Sequence, residues 1–365
     1  MENVKNILFD MKISEKSEEI LQNRLSQIPP SNVHAVQKTQ KRFDTIAKPL
    51  KGLGVFEEIV SRLAGVCENL DFKKKCTIVA CADNGVVARG VTQTESFVTA
   101  IVAGNIAKGE ATVSVMSKTC GADVFPIDVG MLTNAKNVPA FKTRNGTRDF
   151  ATETAMDKID VISAILVGMD AVKVAKENGY NMVATGEMGI GNTTTSSGIC
   201  AVLLGVDEAS VTGKGAGLSS VGVAKKIEVI KAGIEKHKPN PTDPLDILCK
   251  IGGLDIACMC GMFLGGGESG VAVICDGFIS AVSAMLAKML APNCVDYMVA
   301  SHLSKECGAK LLLEKIGITP VIHANMALGE GTGAVALFPL VDMAIAVLKE
   351  MPSFEDIKIE EYKPL

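Results

Sequence analysis

The sequence predicts an α/β protein in which helices cover both faces of an open parallel sheet. Short runs rich in β-branched or apolar residues recur from residue 76 onward, and segments of helix length separate them. Hydrophobic residues make up 47% of the chain but aromatic residues only 4%, a mixture that suits helices packed tightly on a sheet. The predicted strands are "CTIVAC" from Cys76, "DVFPIDVG" from Asp123, "NMVAT" from Asn181, "GVAVIC" from Gly270, "CVDYMVA" from Cys294 and "TPVIH" from Thr319.

Amphipathic helices are predicted before the first strand. In "SEKSEEILQNRLSQIPP" we expect Ser14 to cap a helix that ends at Pro29-Pro30. A second polar helix runs to about Ile46, and a third spans residues 55–69 after the break at "KPLKGLG". At the other end of the chain, residues 332–350 form a long apolar helix.

Composition and charge exclude several classes of protein. The chain has 37 Lys and Arg against 41 Asp and Glu, a net charge of −4, and shows no basic stripe with interleaved aromatic residues, so we expect no nucleic-acid partner. The 11 cysteines form neither CxxC pairs nor His-containing sets at ligand spacing, which favours reduced, mostly buried thiols over a metal site or disulfides.

No membrane partner is predicted either. Glu268 and Asp276 interrupt the apolar stretch 256–290, and the opening "MENVKNILFD" lacks the basic and apolar regions of a secretory leader. We therefore predict a cytoplasmic protein.

Acidic residues follow several of the predicted strands. Because the carboxyl ends of parallel strands meet at one edge of a sheet, these side chains are expected to share that edge, where ligands of open α/β sheets bind. The residues are Asp83, Asp128, Glu187, Asp276 and Glu330.

The stretch "ATGEMGIGNTTTSS", residues 184–197, contains three glycines and six hydroxyl side chains between a strand and a helix. The glycines allow a sharp turn and close approach of a ligand, while Asn192 and Thr193 to Thr195 are expected to cap the helix, whose free N–H groups suit an anion. An ordinary capped turn remains the alternative. "TGKGAGL" from Thr212 and "GEGTGA" from Gly329 are further Gly-rich loops, and together the three suggest a phosphorylated, sugar-bearing ligand.

Glu330 lies between two glycines, so its carboxylate can reach a cleft with little steric cover. A partly desolvated glutamate has a raised pKa and suits general-base work near neutral pH. A negative charge that merely stabilises the start of the last helix is the alternative, and both stay open at this point.

Six motifs occur in the order of a known family: "GEMGIGNTTTSS", "VTGKGAGL", "DPLDILCKIGGLDIA", "DGFISA", "DYMVASHLSKECG" and "LGEGTGA". With the upstream "KPLKGLGVFEEIV", they resemble nicotinate-nucleotide–dimethylbenzimidazole phosphoribosyltransferases. The resemblance covers nearly the whole chain from about residue 40 onward.

The resemblance implies an enzyme that transfers phosphoribose from nicotinate mononucleotide to the lower-ligand base of a cobamide, releasing nicotinate with inversion at the anomeric carbon. Neither a metal nor a cofactor is expected. It also implies a Rossmann-like sheet, a small helical domain built from both chain ends, and a dimer. The corresponding segments are 1–72 (helical part of the small domain), 73–335 (α/β core) and 336–365 (C-terminal helix and tail, packing with the small domain).

Matching the motifs position by position gives each site residue an expected role. Glu330 is the general base, Glu187 and Gly189 line the nucleotide site, and Lys226 is the helix lysine after "VTGKGAGL". Ser304 is expected to reach the phosphate region from the neighbouring subunit. The other expected nucleotide or phosphate contacts are Gly191, Asn192, Thr193, Gly213, Gly215 and Gly329.

The acceptor side departs from the family pattern. In "GVTQTESFVTAIV", Thr94 and Glu95 stand where Tyr and Pro are common, and Ile101 takes the place of a Gln. A pocket that loses an amide discriminates less by hydrogen bonding, so we predict an acceptor other than dimethylbenzimidazole, or a broadened range. The expected acceptor-pocket residues are Asp83, Gln93, Thr94, Phe97, Ile101 and Leu328.

Similar proteins that activate phenol or p-cresol work as pairs of unlike homologous subunits. The resemblance therefore allows a homodimer that acts on an aromatic base and a heterodimer that acts on a phenolic acceptor. It also allows a non-catalytic partner subunit, although the intact Glu330 favours a catalytic chain.

Overall fold

A computed structural model describes residues 6–360 and 362 of the chain. Residues 1–5, 361 and 363–365, which include the ends of the predicted segments 1–72 and 336–365, lie outside the described residues. Within the described part, the strands are β1 (Lys75–Ala82), β2 (Asp123–Gly130), β3 (Met182–Met188), β4 (Ala272–Cys275) and β5 (Met298–Ala300). They form one parallel sheet in the order β2-β1-β3-β4-β5.

Helices fill the segments before, between and after the strands. In the described residues they are α1 (Glu18–Ser26), α2 (Val33–Thr45), α3 (Val55–Val66), α4 (Phe97–Lys108), α5 (Thr112–Thr119), α6 (Lys158–Glu177), α7 (Asn192–Leu204), α8 (Glu208–Val211), α9 (Ser220–His237), α10 (Pro244–Ile251), α11 (Leu254–Ser269), α12 (Phe278–Leu290), α13 (Ala309–Ile316) and α14 (Thr332–Glu350).

The two faces of the sheet pack against different sets of helices. Along β1, Ile78 and Ala80 belong to a hydrophobic cluster with α6, α11 and α12, whereas Val79 and Cys81 belong to a second cluster with α3, α5 and α14. This period of two is what a strand buried on both faces requires. The predicted fold, a Rossmann-like parallel sheet with helices on both faces, is confirmed.

The strand order reverses between β1 and β3. β1 pairs with β2 on one side and with β3 on the other, and the chain then continues outward to β4 and β5. The connections that leave the carboxyl ends of β1 and β3 therefore diverge and open a crevice, the usual ligand position in such sheets.

The predicted sixth strand, "TPVIH", is wrong. In the described structure its pairing is a single parallel bridge between His302 and Ile322. The N–H groups of Val321 and Ile322 both donate to the Ser301 carbonyl, at 3.1 and 3.0 Å, and the preceding Pro320 has no N–H to extend the ladder.

The predicted cap of the first helix is also wrong. Ser17, not Ser14, accepts the Ile20 N–H and caps α1. The Ser14 hydroxyl donates instead to Asp170 at 2.9 Å, and Arg24 bridges Asp170 and Glu268 at 2.6 Å each. This ion-pair network fixes α1 on α6 and α11, so a tertiary contact displaced the local capping interaction.

The segment after α14 meets the end of α2 on the face of the sheet covered by α14. Ile46 bridges to Ser353, and the Arg42 guanidinium donates to the Met351 carbonyl at 2.8 Å. These contacts join the N-terminal helices to the C-terminal segment, but the boundaries at residues 72 and 335 stay predictions. The third N-terminal helix ends at Val66 rather than Asn69, while α14 has the predicted bounds.

Among the described residues, one helix, α14, has the length and composition of a membrane span, although the sequence predicts no spanning segment. Of its apolar window, 56% is buried inside the protein. Leu337, Phe338 and Val341 lie in the hydrophobic cluster with α3 and α5. Helix α14 is therefore part of the hydrophobic core.

Replacing Gly261 by Ala is expected to lower the free energy of unfolding. A methyl group there would overlap the Ile165 carbonyl, because α11 and α6 cross at backbone contact. Forcing packed elements apart costs about 1–3 kcal/mol, measurable by urea denaturation.

Gly104 in α4 is the matched control, because a methyl group at that position meets open space. Its replacement by Ala should stabilise the protein by about 0.5–1 kcal/mol. Equal effects of both substitutions would contradict the close crossing.

Candidate active site

A cavity of about 330 Å³ lies beyond the carboxyl ends of β3 and β4, bounded by the three Gly-rich loops and by the segment that leads into α4. We call it the main cavity. Of the residues predicted from the sequence, those that line it are Gln93, Thr94, Glu187, Gly189, Gly191, Asn192, Thr193, Gly215, Asp276, Ser304, Leu328, Gly329 and Glu330.

Glu330 reaches the main cavity from a left-handed turn. Gly329, Glu330 and Gly331 have φ of 87°, 61° and 92°. For a residue with a side chain this conformation is unfavourable, and it persists where the surroundings enforce it. Here strand β3 restrains the turn by packing directly against it. The contact is so close that a Cβ on Gly186 would lie 2.5 Å from the Glu330 carbonyl oxygen. The Glu330 carboxylate accepts the Val113 N–H at the start of α5, at 3.1 Å.

Asn192 joins two buried carboxylates at the start of α7. Its amide donates to Glu187 and, at 2.9 Å, to Asp255. The Thr195 hydroxyl donates to Asn84, also at 2.9 Å. The prediction that these side chains cap α7 is therefore wrong, since they bind side chains of β3, of α11 and of the loop after β1. The helix starts after Gly191, which has no side chain to cap it.

Burial changes the protonation of these carboxylates. Burial, reinforced by the charge of Asp255, raises the pKa of Glu187 well above its usual range. It raises the pKa of Asp255 to about 6 and that of Asp276 to about 7, although hydrogen bonds to both groups oppose the shift. A cationic group that enters beside them would favour their ionised forms and would itself be stabilised.

Lys226 lies next to the cavity, where it contacts the first turn of α7. It is fully buried, and its ammonium group donates to the Thr193 hydroxyl at 2.9 Å and to the Gly213 carbonyl at 3.5 Å. Burial lowers its pKa to about 8, while the charge of Glu306 opposes the shift. Lys226 therefore places a positive charge beneath the first turn of α7. The adjacent Lys225 is exposed.

Ser304 lies at the main cavity of its own chain, beside Gly277. The loop that follows β5 brings it there, so a neighbouring subunit is not required to place it at this cavity. Gly213 lies outside the lining, at a position where a side chain would overlap the Glu306 carboxylate.

Asp83 and Asp128 occupy the predicted edge but face away from the main cavity. Asp83 accepts the Leu132 N–H at 2.8 Å, and Asp128 pairs with Lys142 at 2.9 Å while accepting the Met131 N–H at 2.7 Å. Both carboxylates hold the loop that follows β2. The expected group of five acidic residues is therefore divided, with Glu187, Asp276 and Glu330 at the cavity.

On α4, the predicted acceptor residues Phe97 and Ile101 are 57% and 53% exposed. Val98 and Val102, one position further along the helix in each case, line the main cavity instead. A helix turns by about 100° per residue, so a shift of one position moves the side chain to a different face. The predicted residues Phe97 and Ile101 are therefore on the outward face of α4.

Some residues at the site were not selected from the sequence. Asp255, which binds Asn192, lies within the motif "DPLDILCKIGGLDIA", so a signal existed for it. Further lining residues have apolar or common polar side chains that gave no such signal: Met188, Ile190, Leu218, His302 and Glu306. Across the described residues, no group of His, Cys, Asp and Glu could hold a metal ion.

Comparison with known proteins identifies the family to which the chain belongs. A family model described as phosphoribosyltransferase matches residues 28–359. A nicotinate-nucleotide–dimethylbenzimidazole phosphoribosyltransferase of Ruminiclostridium cellulolyticum is 44% identical over 93% of this chain and 98% of that protein. The chain belongs to the nicotinate-nucleotide–dimethylbenzimidazole phosphoribosyltransferase family.

Other members of this phosphoribosyltransferase family support the assignment. The protein of the same name from Clostridium acetobutylicum is 39% identical over 94% of this chain and 99% of its own length. The crystal structure of CobT from Thermus thermophilus superimposes with a TM-score of 0.84 at 32% identity, covering 90% of this chain and all of that chain. The family membership predicted from the ordered motifs is confirmed.

The Asp255→Asn variant should change how stability depends on pH. Because the pKa of Asp255 is raised in the folded state, its contribution to stability is present at low pH and is lost as the pH rises through about 6. Removing the titration removes a slope of up to about 1.4 kcal/mol per pH unit between its ordinary pKa and that value. The amide oxygen can still accept the Asn192 hydrogen bond.

Urea denaturation of wild type and variant at about pH 4.5, 5.5 and 7 measures this difference. The variant should gain stability relative to wild type as the pH rises. Parallel stability curves over the whole range would show that Asp255 has an ordinary pKa.

Proposed function

We propose that this chain transfers phosphoribose from nicotinate mononucleotide to an aromatic acceptor, giving the α-ribotide and nicotinate, with Glu330 as the general base. The observation that carries the proposal is the Glu330 carboxylate, held by a left-handed turn in a cavity that also contains the Gly-rich start of α7. Neither a metal nor a cofactor takes part in the proposed reaction.

The phosphate group of the donor is proposed to bind where α7 begins. The positive end of a helix dipole attracts anions, and Gly191, Asn192 and Thr193 at the start of α7 line the cavity. Gly215 and Ser304 line the same cavity, and Lys226 adds a positive charge below Thr193. The binding of a dianion here would favour the charged form of the lysine.

The nicotinate ring and ribose are proposed to lie against Glu187, which lines the cavity at the end of β3. In the reaction the acceptor nitrogen or oxygen attacks the anomeric carbon from the face opposite to nicotinate. The glycosidic C–N bond breaks, and its electron pair neutralises the pyridinium nitrogen. Positive charge builds up on the ribose during this exchange, and nearby carboxylates stabilise such charge. Glu330 takes the proton of the acceptor N–H or O–H group.

The acceptor is proposed to bind among the apolar residues of the cavity wall. The curated relatives are named for dimethylbenzimidazole, which makes a benzimidazole the first candidate. A phenolic acceptor is the second candidate, because Gln93, the amide in this segment, is engaged with the Gly217 carbonyl. The apolar residues of the wall are Val91, Val98, Val102, Ile190, Leu218 and Leu328.

The assembly and location of the chain are parts of the same proposal. We keep the dimer implied by the motifs, either of two identical chains or with a homologous partner, and the cytoplasmic location. Burial raises the pKa of thiols such as Cys258 and Cys275, to about 12 for Cys275, which keeps them protonated and unreactive.

The Glu330→Gln variant should lose about 100- to 10,000-fold in kcat, because the amide cannot accept the acceptor proton. The assay contains nicotinate mononucleotide with a mixture of dimethylbenzimidazole, benzimidazole, adenine, phenol and p-cresol, and mass spectrometry identifies each ribotide. Full activity of the variant would overturn the general-base role.

Glu57→Gln is the matched control. Glu57 is a buried glutamate that accepts the Leu53 N–H at 3.0 Å, much as Glu330 accepts the Val113 N–H, but it pairs with Lys48 far from the cavity. Its substitution should leave kcat unchanged. If wild type forms no ribotide from any acceptor, either alone or as a complex with a homologous subunit, the proposed reaction is wrong.

Substitutions on the two faces of α4 should separate the residues that choose the acceptor. Val102→Gln introduces an amide into the cavity and is expected to change the ratio of kcat/KM between benzimidazole and phenol by about tenfold or more. Ile101→Gln places the same amide on the exposed face and should leave that ratio unchanged. The reverse result would show that an element outside this chain folds over Ile101 and completes the pocket.

A further inference from the structure

Asp276 lies directly after β4, where the turn that carries Glu330 enters α14. It is buried, and its carboxylate accepts the Ala334 N–H at 3.0 Å. The N–H dipoles of Gly331, Gly333 and Gly277 also favour the ionised carboxylate and oppose the rise in its pKa. One carboxylate therefore attracts several N–H groups at the start of α14, immediately after Glu330.

Asp276 caps α14, which has no capping side chain of its own. The residue before the helix is Gly331, which has no side chain to accept an N–H. A helix start that is left uncapped exposes unsatisfied donors, and a negative charge at that end is stabilising. Asp276, which directly follows β4, accepts an N–H at this helix start and supplies the negative charge.

The turn ahead of α14 is under strain and needs such support. Three successive residues, from Gly329 to Gly331, have positive φ, and the middle one has a side chain. The local hydrogen bond from the Thr332 hydroxyl to the Gly329 carbonyl, at 2.9 Å, holds the first part of the turn. The part after Glu330 is held by Asp276.

The ring of His302 packs against the first turn of α14. Its ring contacts Gly277 and packs so tightly against Gly333 that a side chain at position 333 would overlap it. Nδ1 of His302 lies 3.2 Å from the Ser301 hydroxyl and 3.9 Å from the Asp276 carboxylate. Burial lowers the pKa of His302 to about 4, so the ring is neutral at ordinary pH.

We propose that Asp276 is a positioning residue for Glu330: by accepting the N–H groups that follow Glu330, it keeps the turn left-handed and the Glu330 carboxylate in the main cavity. The inference rests on the proposed general-base role of Glu330. It extends that role by naming the residue after β4 that holds Glu330 in position.

The test compares Asp276→Ala and Asp276→Asn with wild type. The alanine variant loses every acceptor, whereas the asparagine variant keeps one oxygen that can accept an N–H. We expect kcat to fall about 100-fold for alanine, as for a misplaced catalytic group, and less for asparagine. The KM for nicotinate mononucleotide should change by less than about threefold.

Asp160→Ala is the matched control. Asp160 is buried like Asp276, and its carboxylate accepts the Asp157 N–H at 3.2 Å in the cap of α6, remote from the cavity. Its loss should destabilise the protein and leave kcat unchanged. The control separates loss of a helix cap from loss of Glu330 geometry.

Hydrogen exchange of the folded proteins gives a readout that does not depend on activity. In Asp276→Asn the amides of Gly331, Gly333 and Ala334 should exchange at least about tenfold faster than in wild type. Unchanged exchange at these amides overturns the inference, as does a kcat of Asp276→Ala within about threefold of wild type. A loss expressed mainly in KM overturns it too, because Asp276 would then bind substrate. If wild type itself has no activity, the proposed function fails, and hydrogen exchange alone decides whether Asp276 holds the turn.

Discussion

The site depends on one close contact, between β3 and the turn that carries Glu330. Gly186 lies in the strand beside the Glu330 carbonyl, where no side chain would fit, and Gly331 packs against Thr185 and Gly186 in the same way. Because β3 lies between β1 and β4, the turn is fixed against the most buried part of the sheet. A carboxylate supported in this way has a defined position, which general-base chemistry requires.

Charge is distributed unequally across the main cavity. Glu187, a buried carboxyl group with a raised pKa, lies at the end of β3, whereas the ammonium group of Lys226 lies beneath Thr193 in the first turn of α7. The donor proposed here has the complementary distribution, with a cationic pyridinium ring at one end and an anionic phosphate at the other. Electrostatics would therefore select its orientation as well as its binding.

The acceptor wall is built differently, mainly from apolar side chains of α4 and the loops. Apolar contacts discriminate weakly between flat aromatic molecules of similar size. Acceptor choice within the family can therefore change through substitutions at a few positions, such as Val98 and Val102, without any change in the polar groups that bind the donor.

The sequence by itself determined the sheet and the Gly-rich loops, and it placed Glu330 in a turn between two glycines. Periodicity reports burial on both faces, and a Gly-Glu-Gly triplet implies a turn that other residues cannot adopt. Tertiary structure decided which way each side chain points. Asp83 and Asp128 lie at the predicted edge but turn towards the loop after β2, and Phe97 and Ile101 lie one helical position away from the cavity.

The capping residues show the same limit at short range. Ser14, Asn192 and Thr195 all have side chains that can cap a helix, yet each binds a group distant in sequence: Asp170, Asp255 and Asn84. Local sequence states which hydrogen bonds a residue can make. The partner it selects depends on which buried polar groups the folded chain brings near it, because each of these needs a partner once water is excluded.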